Sequence, residues 1–386
     1  MSVSRHAPVA VTGMGLICSR FEGEASRVPA RFISVELPQH QTNFRSNRAA
    51  SVAVSRSIEL AFHAAISADG GSGEPSDRRG VAITVSKGLT DVLEKIVADA
   101  RNSPTGTMTP ISECGPDAAA RWIARALHLG GPASAAVAAC ASGLASVKLG
   151  MDWLRDGVCG SVLAGAAESS KSELIMRSFE RLGVISPTRQ TRPFDARRDG
   201  FVVGEGAAVF RLEAADTARF NSEKRKGPGV LATILGIAFG ADAHHLTTPE
   251  PTGAVLSAVV EQALLRSGLE PAQIDWVHAH GTATAYNDVV EVNVLRRVFG
   301  KRIPPVAATK GMTGHLLGAS GACALGLTIE ALRGGFIPAV AGLREPAAEF
   351  TDIDFVLGAR RSSSATNALV LNHGFGGHLA AVVVAV

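Results

Sequence analysis

The chain has 386 residues, is 46% hydrophobic and 19% charged, and carries a formal net charge of +3. That length suits a large core built in two halves. The weak basicity, with Lys and Arg scattered apart from Lys224-Arg225-Lys226, argues against nucleic-acid binding.

The five cysteines, Cys18, Cys114, Cys140, Cys159 and Cys323, are odd in number, far apart and without a C-x-x-C pair. They suggest neither a disulfide framework nor a zinc site, and a reducing cytoplasm fits them best. At the N-terminus, "APVAVTGMGLIC" contains two glycines and no small-residue cleavage site, so it reads as a first strand and turn rather than a signal peptide. No apolar run reaches the roughly 18 residues that a membrane helix requires.

Short apolar runs then alternate with helix-period stretches. "VAVTGMG", "GVAITV", "SAAVAA", "SVLAGAA" and "AAVFRLE" have the length and bounds of buried strands, and "RAASVAVSRSIELAFHAAI" (48–66) has the spacing of a helix. A second series begins near Val230 with "VLATILGIAFG", followed by a helix over 253–268 and the strand "WVHAHGT". Helices over 288–299 and 321–333 flank "PVAATKG", and "NALVLN" and "AAVVVAV" close the chain. This is an α/β layout run twice. The polar stretch "NSEKRKGPG" (221–229) is its natural joint, dividing 1–228 from 229–386.

Three positions draw chemical attention. In "AVAACASGLASV" (136–147), Cys140 stands where a buried strand should end and a helix begin, with Leu144, Val147, Met151 and Leu154 on one helical face. Unpaired N–H groups at a helix N-terminus favour a thiolate by about 0.3–1 kcal/mol, or ~2 if partly buried. Ser142 and Gly143 keep the surroundings small, leaving room for a substrate carbonyl above the sulfur. A packed structural cysteine is the competing reading of this stretch. His280, in "HAHGTATAYND" (278–288), and His315, five residues after Lys310 in "TKGMTGHLLGASG" (309–321), both fall at loops that follow predicted strands. Each alone fits a core histidine, but with Cys140 they place a thiol and two imidazoles where α/β proteins gather their chemistry. "GFGGH" (374–378) could bring a backbone N–H to an oxyanion, or be a plain turn. It lacks the G-x-G-x-x-G dinucleotide pattern.

Taken together, these pieces resemble the β-ketoacyl-[acyl carrier protein] synthases of the thiolase-like superfamily, in that family's order. "ACASG" is similar to its nucleophile motif, "RPFDARRDGFVVGEGAA" (192–208) to its Asp-Arg-Asp-Gly-Phe segment, and "DAHHLTTPEPTG" (242–253) to the opening of its second half. "HGTATAYNDVVE" (280–291) and "KGMTGHLLGASG" resemble its two histidine motifs, and "GFGG" its terminal gate loop.

The resemblance implies a five-layered α-β-α-β-α fold with the thiol at its centre. Cys140 would take an acyl chain from a phosphopantetheine thioester, with backbone N–H groups of Cys140 and Phe375 meeting the oxyanion. Phe375 would lie in the gate loop between Gly374 and Gly376. His280 and His315 would hold the malonyl thioester oxygen during loss of carbon dioxide, and Thr282 and Thr284 would bind the pantetheine arm. Lys310 completes the catalytic set. No cofactor of the protein's own is implied, because substrates arrive on the phosphopantetheine of an acyl carrier protein. The expected partners are that carrier and a second subunit, identical or related, with no membrane insertion.

Several positions depart from the family pattern. Ala324 stands where Glu usually partners the lysine, Gly311 where Ser is common, and His278 where Glu precedes the first histidine. Leu371-Asn372-His373 replaces Asn-Ser-Phe, and about residues 19–47 the chain is shorter than usual. These changes point to a specialised synthase of polyketide or aryl-polyene-like assembly. The alternatives are a non-catalytic partner that sets chain length and an acyltransferase or thioester hydrolase without condensation. A degradative thiolase would need a second cysteine where Gly376, Gly377 and His378 stand.

Overall fold

The computed structural model describes residues 7–18, 55–69, 77–102, 111–170, 172–216, 218 and 229–386. In chain order the elements are β1 (Val9–Cys18), α1 (Arg56–Asp69), β2 (Arg79–Thr84), α2 (Thr90–Asn102), α3 (Ala118–Ala126), β3 (Ala133–Ser134), α4 (Ser142–Arg155), β4 (Ser161–Glu168), α5 (Glu173–Arg181) and β5 (Gly206–Ala214). The second series is β6 (Ala232–Ala241), α6 (Ala254–Ser267), β7 (Trp276–His278), α7 (Ala285–Phe299), β8 (Val306–Ala307), α8 (Lys310–Thr313), α9 (Ser320–Arg333), β9 (Phe336–Ile337), β10 (Arg361–Ser362), β11 (Asn367–Gly374) and β12 (His378–Ala385).

Ten strands share one sheet in the order β3-β2-β4-β5-β1-β6-β12-β11-β7-β8. Its halves meet along a short antiparallel ladder, Val9 to Val11 against Ala232 to Ile234. Outward from that seam the first half runs antiparallel, antiparallel, parallel, parallel. The second half repeats the pattern. The duplication expected from the layout is therefore present in strand direction and order.

Strand alternation assigns the layers. On β11 and β12, Val370, Val382 and Val384 join one core with α4 and α9, whereas Leu369, Leu371 and Val383 join another with α6 and α7. On β4 and β5, Val162, Phe210 and Leu212 face the same α4/α9 core, and Leu163 and Val209 face α1 and α3. Period-two alternation on strands buried on both faces requires a helix layer on each side. The result is five layers, α1/α3, sheet, α4/α9, sheet, α6/α7. Among the described residues no helix is long and apolar enough to cross a membrane.

Two expectations change. The strand read from "SAAVAA" shrinks to Ala133–Ser134, because serines of α4 take the following amides: Ala136 N–H donates to Ser146 Oγ (3.3 Å) and Ala138 N–H to Ser142 Oγ (2.9 Å). Gly143 is small for helix packing, not for substrate: a Cβ there would lie 2.8 Å from Ala322 Cβ, and one on Gly321 would lie 2.8 Å from Leu144 Cγ. The helix read over 48–66 starts at Arg56 among the described residues; residues 48–54, the shortened 19–47 region and 221–228 of the joint lie outside them.

The close approach of α4 and α9 brings together the loops before their N-termini, which carry Cys140 and His315. A Gly143→Val substitution should cost about 1–3 kcal/mol, read as a lower urea midpoint with an unchanged slope.

Candidate active site

Cys140 sits in a single 3-10 turn, Ala139–Ala141, that runs directly into α4. Ala139 holds a left-handed φ of 46°, a strain of roughly 1–3 kcal/mol for a residue with a Cβ. Ser142 supports that elbow, donating to Ala139 O (2.6 Å) while accepting from Ala138 N–H. Gly374 runs against it: a Cβ there would lie 2.9 Å from Ala138 O and 3.0 Å from Cys140 N. Only glycine permits that approach, and Gly376 turns the loop with φ 78°. The Phe375 N–H consequently reaches Cys140 sulfur.

Burial raises the Cys140 thiol above its ordinary value, outweighing Lys87, Lys310 and the Phe375 N–H, which act the other way; Glu168 raises it further. The thiolate preference expected of the helix end is thus outweighed at this depth. Helix-end stabilisation is worth about a kilocalorie, and desolvating a charged sulfur costs more.

The two histidines are set by what meets Nδ1. On His280, Lys310 Nζ lies 3.1 Å and Asn372 Nδ2 3.2 Å from Nδ1. Both are donors, so Nδ1 accepts and the proton sits on Nε2. On His315, Leu317 N–H donates to Nδ1 at 3.2 Å, and Ser320 Oγ lies 2.8 Å away. The same tautomer follows. Burial, reinforced by the Lys310 charge, pushes both rings well below the usual histidine range, so both are neutral. Their centroids are 5.5 Å apart at 82°, and the Phe201 ring meets that of His315 in a T-shaped contact.

One cavity of about 320 Å³ is lined by Cys140, His280, His315, Thr282, Thr284 and Phe375, within the size range of small-molecule sites. Thr282 and Thr284 hydrogen-bond each other at 2.8 Å. Gly374 also lines this space. Gly376 lies just outside that lining; its N–H donates to Leu246 O at 2.7 Å and anchors the loop. His280 follows β7 as expected, but His315 lies between the one-turn helix α8 and α9, not directly after a strand.

Lys310 opens α8 and is buried. Its Nζ also donates to His280 O, and no described carboxylate stands within ion-pair distance of it, consistent with Ala324 at the expected partner position. Burial lowers it from 10.5 to about 8, opposed first by Glu291. His278 replaces a carboxylate with a neutral ring held between Thr328 Oγ1 (2.8 Å) and Thr309 Oγ1 (3.0 Å). Gly311 has no room for a side chain, since a Cβ would meet Ala341 O at 1.8 Å.

Several supporting groups escape a reading of the sequence. Glu291 accepts from the His280 and Gly281 N–H groups, and Asp288 from those of Phe194 and Ala283. Their i, i+3 spacing at the start of α7, in the helix that follows the His280 loop, is the available signal. Glu168, bonded to Ser86 and Ser170 and 3.5 Å from Lys87, leaves no such signal, because Ser86 and Lys87 are distant in sequence.

The profile for "Beta-ketoacyl synthase, N-terminal domain" matches residues 18–218, and that for the C-terminal domain matches 231–344. The chain is 34% identical over 262 residues to 3-oxoacyl-[acyl-carrier-protein] synthase 2 of Synechocystis, covering 66% of this chain and 62% of that one. It is 34% identical over 277 residues to the tetracenomycin polyketide synthase ketoacyl synthase alpha subunit of Streptomyces glaucescens, covering 70% and 64%. These matches thus span less than two thirds of the relatives' own length. Among solved structures, the ishigamide ketosynthase/chain length factor superposes with a TM-score of 0.83 at 26% identity, covering 98% of this chain and 99% of that one. A β-ketoacyl synthase from Burkholderia phymatum gives 0.82 at 27%, with the same coverage.

The lysine makes the site sensitive to pH. Its folded value, about 8, is below its ordinary value of 10.5, so between them the unfolded chain holds more protons than the folded one. Stability from this group therefore rises with pH across that window. Ala324→Glu should supply a carboxylate partner, return the Lys310 value upward by at least about one unit and flatten that rise, as followed by urea unfolding between pH 8 and 10.

Proposed function

The chain belongs to the β-ketoacyl synthase family, and from that premise we propose that it joins two carrier-bound acyl units by decarboxylative Claisen condensation. One observation carries the reading: two neutral imidazoles, each with Nδ1 occupied by donors, line the cavity that also holds the Cys140 thiol and the Phe375 N–H.

In the first half-reaction the Cys140 sulfur attacks an acyl thioester. The sulfur–carbon bond to the enzyme forms, that to the carrier breaks, and the thiol proton leaves with the carrier sulfur. The N–H groups of Cys140 and Phe375 stabilise the tetrahedral oxyanion; losing one such donor typically costs about 2.7–4 kcal/mol. In the second, a malonyl thioester places its carbonyl oxygen on the Nε2–H groups of His280 and His315. Carbon dioxide departs, and its bonding pair becomes the enolate. Charge develops on one oxygen, and two fixed neutral donors stabilise it without reorganising. The enolate carbon attacks the acyl-cysteine, forming the carbon–carbon bond and breaking the sulfur–carbon bond; Cys140 leaves as a thiolate and takes a proton from solvent to restore the thiol. Thr282 and Thr284 hold the pantetheine arm.

The same reading makes an acyl carrier protein the substrate donor and a second synthase subunit, identical or related, the partner. It places the protein in the cytoplasm, with no cofactor of its own, and divides the chain at 228/229 into a nucleophile half and a histidine half. The profile matches, which stop at 218 and resume at 231, support that division. A polyketide-type pathway is favoured by the departures at His278, Ala324 and His373. A non-catalytic chain-length subunit is disfavoured by the retained Cys140, His280 and His315.

Cys140→Ala should abolish the acyl adduct that intact-mass analysis detects after mixing with acyl carrier, with the melting temperature held, since alanine fits the same space. An undiminished adduct would refute the nucleophile. His315→Ala should leave adduct formation within a few-fold while lowering β-ketoacyl product about 10²–10³-fold. Equal loss of both steps would reassign His315.

A further inference from the structure

Strand β11 ends against the site with two consecutive side chains that both meet His280. Asn372 supplies the amide at Nδ1. His373 packs its ring against that of His280 with a centroid distance of 5.0 Å and a tilt of 32°. His373 is buried, and its Nδ1 lies 2.8 Å from Asn287 Oδ1.

The orientation of Asn287 is fixed from its other end. Its Nδ2 lies 3.2 Å from Asp288 Oδ1 and 3.4 Å from Glu291 Oε2, so its Oδ1 is the acceptor and His373 carries its proton on Nδ1. His373, which also lines the cavity, is therefore the opposite tautomer from His280 and His315. Its Nε2 is buried and has no partner among the described residues. An unpartnered buried nitrogen costs stability, and an aromatic carbon ring in its place would move that cost to Asn287 Oδ1 by removing its donor.

We infer that His373 is a positioning residue for His280. Through Asn287 it binds the gate-loop strand to Glu291, whose carboxylate accepts the His280 and Gly281 N–H groups, while its ring backs the His280 ring. The hydrogen bond from residue 373 to Asn287 holds the imidazole where its Nε2–H meets the thioester oxygen. This rests on the proposed function, in which His280 acts in condensation and not in acyl transfer.

His373→Phe keeps the aromatic volume and removes the bond. It exchanges one unpartnered atom, His373 Nε2, for another, Asn287 Oδ1, so the melting temperature should hold within about 4 °C. Condensation kcat should fall about tenfold to a hundredfold, with KM for malonyl carrier and the rate of Cys140 acylation within about twofold. Asn287→Ala should show the same split, and the double variant should lose little more than either single variant. His373→Asn, which places an amide N–H where Nδ1 was, should recover most of the rate. Unchanged condensation in His373→Phe, a loss shared equally by acylation, or a loss that His373→Asn does not recover would overturn the inference while leaving the proposed function standing. A wild-type chain that forms no β-ketoacyl product would overturn both.

Discussion

A neutral imidazole sealed away from water offers its Nε2–H to a ligand when donors occupy its Nδ1. In this protein that requirement organises the site. Lys310 and Asn372 occupy one face of His280, and Leu317 N–H and Ser320 occupy His315. Burial keeps both rings uncharged, so the proton that remains on each ring is held on Nε2. Had either Nδ1 faced a carboxylate or carbonyl, the ring would have presented a lone pair, and a developing negative charge would have been repelled.

The fold supplies these partners from distant segments through its duplication. Cys140 and His315 occupy matching places in the two halves, each on the loop before a central helix, α4 or α9. Because Gly143 and Gly321 let those helices approach closely, the two loops converge. His280 and the Phe375 loop enter from the carboxyl ends of β7 and β11, where α/β sheets place their ligands. The cost is a buried ammonium with no described carboxylate partner and an elbow strained at Ala139, both borne by the surrounding core.

Much of this arrangement is legible in the order of the residues. The alternation of short apolar runs and helical stretches foretells the layers, since two-faced burial of a strand requires helices on either side. Cys140, His280 and His315 stand out because each combines a reactive side chain with flanking glycine or small residues at an element boundary. The "SAAVAA" run misleads, because its amides pair with the hydroxyls of Ser142 and Ser146, a contact that apolar periodicity cannot reveal. The thiol's protonation state misleads as well: a helix N-terminus is visible in a sequence, but the depth of burial that outweighs it is not. Glu168, Asn287 and Glu291 stay hidden because their roles depend on partners brought near only by folding.

The departures from the family pattern also gain physical meaning. Gly311 is imposed by the Ala341 backbone, and His278 substitutes a threonine-bonded neutral ring for a charge. Together with Ala324 they leave Lys310 with His280 as its hydrogen-bond partner. Both site histidines are thus neutral Nε2–H tautomers. Nitrogen-15 NMR of histidine-labelled protein at pH 7, with His280 and His315 assigned by single substitution, tests that assignment most directly. Both rings should carry one proton, on Nε2. A proton on Nδ1 of either ring, or an imidazolium, would contradict it.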